Sequence, residues 1–163
     1  MTKQQSKFTN ESVYETLCGI CDKVADATDP IMQLAMNIKF DSEERPYNWR
    51  KEVVVTCYDY EQKIAAELLR LARFCYDRTE FNLRIEDFQD IAAATLGTAQ
   101  VLYELQKYVK SKSAELTEIN KTSKRGFKDI LIMLDSVVDE YAKPYEELLK
   151  LSADLSEYAY PDV

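Results

Sequence analysis

Histidine is missing from this sequence altogether, and glycine occurs only three times in 163 residues. Without histidine there is no Ser/His or Cys/His nucleophile pair and no imidazole-ligated zinc. The Glu-x-x-His di-iron site that some helical bundles carry is excluded as well. Gly19, Gly97 and Gly126 are scattered, so there is no glycine-rich phosphate loop. With only four prolines, turns are scarce, and scarce turns among strong helix formers mean long helices. No run of about 18 apolar residues offers a membrane span. The N-terminal stretch MTKQQSKFTNES lacks the apolar region of a secretory signal. The expected location is therefore the cytoplasm, where the four cysteines stay reduced and the sequons at Asn10 and Asn120 carry no glycan. The remaining chemistry must come from Cys, Asp, Glu, Lys, Arg or Tyr. The chain is expected not to be an enzyme and to need no cofactor or metal.

What the sequence does contain is helical periodicity. Val13, Leu17, Ile20, Val24, Ala27, Ile31, Leu34 and Ile38 alternate spacings of four and three, an unbroken heptad seam. Ser12 and Glu15 form a capping-box pattern at its start, and Pro30 predicts a kink or a restart within it. A second segment begins near Pro46 and aligns Val53, Cys57, Tyr60, Ile64, Leu68, Leu71 and Cys75. The third carries Ile85, Phe88, Ala92, Leu96, Ala99, Leu102, Leu105, Val109, Leu116 and Ile119. The fourth carries Phe127, Ile130, Leu134, Val137, Tyr141, Tyr145, Leu148 and Leu155, with Pro144 as a second kink. Helices of about 29, 35, 36 and 32 residues would each be roughly 43 to 54 Å long. Joined by short loops, they predict an all-α, antiparallel, up-down-up-down four-helix bundle. Residues 12–158 are expected to form this single domain, with a flexible tail over 1–11 and a short tail over 159–163.

Three features are candidates for function. Cys18–Gly19–Ile20–Cys21 has the spacing of thiol oxidoreductases and of half a zinc site. Here, though, the motif falls inside a helix, where Cβ atoms at i and i+3 lie about 5–6 Å apart against the roughly 3.8 Å of a disulfide. Cys57 and Cys75 sit about 27 Å apart on one predicted helix, so the four thiols cannot share a zinc ion. Packing is the expected role of Cys18 and Cys21, and a redox or metal role shared between chains is the alternative.

The second feature is KYVKSKSAELTEINKTSKRGFK, residues 107–128. Lys107, Lys110, Lys112, Lys121, Lys124, Arg125 and Lys128 outnumber Glu115 and Glu118 in a chain whose net charge is −8. These cations serve either as ordinary helix-end chemistry or as a phosphate-contacting tip, with Tyr108 and Phe127 as stacking surfaces. The overall acidity opposes long-range attraction to a polyanion.

The third feature is the acidic last helix, with Asp135, Asp139, Glu146, Glu147, Asp154 and Glu157. It is either a solvated face or a docking surface for a basic partner, and Tyr158 and Tyr160 beyond it are candidate interface anchors. Carboxylates adjacent in sequence, such as Glu43/Glu44 and Asp139/Glu140, do not face one another on a helix and make no acid–base dyad.

The stretch KFDSEERPYNWRKEV, residues 39–53, resembles small bacterial four-helix-bundle proteins associated with ribosomal RNA inserts and diversity-generating retroelements. That resemblance implies the same fold and a role beside nucleic acid. It is short, carries no chemically specific motif, and sets an acidic chain beside typically basic ones. The leading expectation is a non-catalytic protein–protein interaction module (adaptor, scaffold or inhibitor) that forms a homo-oligomer, most simply a dimer. Apolar residues left beside the seams, namely Tyr14, Met32, Met36, Trp49, Val54, Leu69, Tyr103 and Leu131, are its candidate contacts. The alternative is an accessory nucleic-acid-binding bundle using the basic tip.

Overall fold

In a computed structural model the chain forms four helices: α1 (Asn10–Met32), α2 (Pro46–Asp77), α3 (Ile85–Thr122) and α4 (Lys128–Ala159). The structure describes residues 9–34, 46–77, 84–122 and 127–159, the side chains of 46–48, 122, 158 and 159 excepted. The periodicity that ends α1 at Ile38 therefore runs onto residues outside those described.

The helix starts are built from side chains. At α1 the capping box lies one turn earlier than Ser12 and Glu15. Thr9 is the N-cap, its hydroxyl accepting from the Ser12 N–H at 3.0 Å, while the Ser12 hydroxyl accepts from the Thr9 N–H at 2.9 Å. Ser12 thus fills the position where glutamate is usual. Starting at Thr9 also lets the Val13 N–H reach the Thr9 carbonyl at 3.0 Å. At α3, Asp87 reaches back to accept from the Arg84 N–H at 2.9 Å. At α4 the cap is borrowed: Asn120, near the end of α3, accepts from the N–H of buried Phe127 at 2.9 Å.

Each helix touches the next in the chain, and α1 closes the ring against α4, while among the described residues the backbones of the diagonal pairs α1/α3 and α2/α4 make no close approach. Cross-helix partners run in opposite senses at the three seams with two or more pairs, which fixes the fourth. Between α1 and α4, Lys23 pairs with Glu147 and Thr28 with Tyr141. Between α2 and α3, Tyr60 stacks on Tyr108 and Glu52 pairs with Lys112. Between α3 and α4, Ala92 meets Ser152, Gln106 meets Val138 and Ser113 meets Asp135. Between α1 and α2, Tyr14 packs on Tyr76 near one end. The bundle is an antiparallel square.

The core is the set of seams read from the sequence. Leu17, Ile20, Ile31, Leu68, Leu102, Leu105, Leu116, Leu134 and Leu148 are among its fully buried members. Burying each such side chain is worth about 1.5–3 kcal/mol relative to leaving it in water. Three details differ from the seams. On α3, Ile85 and Leu96 are exposed, and the buried position is Thr95, whose hydroxyl donates to the Ala92 carbonyl at 2.9 Å. The seam steps by three there, where the side-chain pattern favoured four, and that local bond satisfies the hydroxyl this buries. Trp49, counted among the spare apolar residues, is a core side chain. Finally, neither proline restarts a helix. α1 runs through Pro30 and α4 through Pro144, and both rings line one cavity of about 360 Å³ between these two helices. Both helices continue past the backbone hydrogen bond that each proline removes.

Candidate functional site

The cysteines are placed by the helices that carry them. α1 is continuous through Cys18 and Cys21; both are half-buried free thiols, and Ile20 between them is fully buried. Burial, with the Asp22 carboxylate nearby, pushes the Cys21 thiol above its ordinary value, which is the opposite of an activated nucleophile. Cys57 and Cys75 are completely buried on the inner face of α2. Desolvation pushes their thiols up to about 12 and about 11. Among the described residues no three Cys, Asp or Glu side chains converge on a point that suits a metal ion.

The basic candidates are dispersed. Lys107 and Lys110 are exposed on the body of α3, more than two turns from Lys121, while Lys121 and Lys128 flank the α3–α4 turn. Lys107 lies over the Tyr103 ring at 5.6 Å, and Lys121 pairs with Glu118 at 2.9 Å. Lys112, which added to the local charge, is buried: its ammonium bonds Glu52 at 3.0 Å and Glu115 at 3.1 Å and lies 5.5 Å from the Tyr108 ring. Burial lowers its proton affinity, but the two carboxylates outweigh that and raise it overall. It is a strut between α2 and α3. Lys124 and Arg125 lie outside the described residues, as do Tyr160 and the Tyr158 side chain. On the acidic helix, Asp135 accepts from the Ser113 hydroxyl at 2.9 Å and Glu147 pairs with Lys23, so part of its charge holds the fold.

One surface stands out that the sequence reading reaches only at Tyr14 and Leu69. Of the eight exposed large apolar side chains among the described residues, four lie on α2: Val55, Tyr58, Leu69 and Tyr76. With exposed Gln62, half-buried Ala65 and buried Ala72 they repeat at spacings of three and four, a second heptad stripe beside the core one. It spans about 31 Å of helix. Near its C-terminal end the stripe borders an apolar groove of about 310 Å³ between α1 and α2, lined by Tyr14, Cys18, Leu69, Ala72, Arg73 and Tyr76. Tyr76 packs on Tyr14 at 5.7 Å, and exposed Tyr103 on α3 packs likewise on Tyr145 at 5.7 Å beneath the Lys107 ammonium. The signal for the α2 stripe was present in the sequence as a second 3-4 repeat. It was masked because the stronger repeat, Val53 to Cys75, occupies the same helix.

No protein family, curated protein or solved structure matches this chain. The short likeness at residues 39–53 gains no support from these comparisons. Among the described residues no helix is long and apolar enough to cross a membrane.

Proposed function

We propose that this chain is a non-catalytic protein–protein interaction module that binds an amphipathic helix through the outer α1–α2 face. The carrying observation is the exposed Val55–Tyr58–Leu69–Tyr76 stripe beside the Tyr14–Cys18 groove. A heptad-spaced apolar stripe next to a concave seam between two helices is the surface that receives a third helix by knobs-into-holes packing. Apolar patches of this kind, rimmed by charge, mark interaction sites more often than accidents of composition.

The test is a photo-crosslinking amino acid placed at Leu69, with the same probe at exposed Glu146 on α4 as control, in cells of the source organism. The expected result is an adduct from position 69 alone, joined to a peptide whose apolar residues repeat at helical spacing. Adducts of equal yield from both positions, or none from position 69, would overturn the reading.

A further inference from the structure

The outer face of α2 is built so that it can pair with itself. Two pairs of its stripe are equidistant from the midpoint between Ala65 and Ala66, Val55 with Tyr76 and Gln62 with Leu69. Alanines at the midpoint let two helix backbones approach closely. One flanking pair has opposite sign about Ala66: exposed Asp59, seven residues before it, mirrors exposed Arg73, seven residues after it, whose partner within the chain is Asp77 at 3.8 Å. The C-terminal half borders the groove lined by Tyr14, Cys18, Leu69 and Tyr76, and large apolar side chains stand out on both halves, Val55 and Tyr58 at 49% and 50% exposed and Leu69 and Tyr76 at 52% and 62%. A face with exposed apolar side chains on both sides of its midpoint, a groove beside one half and a charge pair reversed across it complements a copy of itself turned through a two-fold rotation.

We infer that the partner of this face is a second copy of the chain, the two α2 helices lying antiparallel about a two-fold axis beside Ala65 and Ala66. In that arrangement Val55 and Tyr58 of each copy fill the groove of the other, and Asp59 faces the other copy's Arg73 twice over. The inference rests on the helix-association reading above and names its partner. A stripe of about 31 Å makes a small interface. The dimer therefore dissociates on dilution.

Sedimentation equilibrium of the full chain, from micromolar to millimolar concentration, reads the assembly directly. The wild type is expected to pass from monomer to dimer, and Leu69→Glu is expected to remain monomeric. Asp59→Arg alone and Arg73→Glu alone each set like charges together at two places and should weaken association about tenfold or more. Mixed in equal amounts, the two single variants match at both places, so the mixture should recover the wild-type dimerisation constant. Circular dichroism of each variant checks that it stays folded, and these exposed positions are expected to leave the helical signal unchanged.

A wild type that stays monomeric throughout would overturn the proposal. So would a dimer indifferent to Leu69→Glu, or a mixture no tighter than its components. The crosslink at position 69 separates this from the broader reading. An adduct of twice the chain mass supports self-pairing, whereas an adduct with a different protein's helix leaves the docking face standing and refutes the second copy as its occupant.

Discussion

The two hairpins of this bundle solve the same packing problem differently. Between α3 and α4, polar side chains lock the seam: Ser152 donates to the Ala92 carbonyl at 2.7 Å, Gln106 to the Val138 carbonyl at 2.9 Å and Ser113 to Asp135 at 2.9 Å. The exposed Tyr103 there packs on Tyr145 and Lys107, while Ile85, Leu96 and Ile132 stand exposed elsewhere on the same hairpin. Between α1 and α2 the joint is apolar, and its outer rim leaves Leu69 and Tyr76 more than half exposed. Oriented hydrogen bonds fix one register. An apolar rim is non-directional and still has surface to bury. On the function proposed above, the α3–α4 hairpin holds the fold and the α1–α2 hairpin meets a partner.

The largest expected effect tests the holding side. Leu134→Ala, in the closed seam, should cost about 2–5 kcal/mol in urea unfolding, because a fully buried leucine leaves a cavity that its neighbours cannot fill. Next in size is an alkaline loss of stability centred on α2. The folded thiols of Cys57 and Cys75 are raised from 9.0 to about 12 and about 11, so the folded state holds protons that the unfolded chain releases. Their stabilisation is complete below pH 9 and is lost as pH rises toward 11 to 12, at about 1.4 kcal/mol per pH unit for each thiol. Unfolding midpoints measured at pH 8 and pH 10 should differ, and replacing both cysteines by alanine should flatten the dependence; equal midpoints in the parent protein would break this account.

Smaller effects sharpen the contrast. Ser152→Ala removes a bond across the α3–α4 seam and should cost about 0.5–1.5 kcal/mol. Gly97→Ala on α3 should stabilise by up to about 1 kcal/mol, since a Cβ there meets nothing within 4 Å and the helix gains propensity. Smallest is Leu69→Ala, expected within about 0.5 kcal/mol at dilute concentration. A large loss there would mean that the rim belongs to the monomer's core and would erase the distinction between the hairpins.

Much of this was legible in the residues. The α1 seam from Val13 to Leu34 is buried at every step, because a side-chain repeat of 3.5 residues leaves a helix only one way to face its neighbours. The exclusion of a shared zinc site for Cys57 and Cys75 needed only their separation along one helix. Less legible were positions where two residues compete for one inward direction. Thr95 rather than Leu96 is buried because its hydroxyl finds the Ala92 carbonyl, a bond that hydrophobicity cannot register. Lys112 was counted as surface charge, yet it lies buried between two glutamates, one of them sixty residues away on another helix. A partner that distant leaves no local signal.

By itself, then, the sequence determined the class of the molecule: four long helices, their inward faces, and a catalogue of sites that residue chemistry forbids. Periodicity and composition suffice for this because they act within single helices. Only the tertiary structure decided which apolar residues stay in water, which charges are struts, and where a groove opens between α1 and α2. Those outcomes depend on which helix lies beside which, a property of pairs of segments rather than of any segment alone.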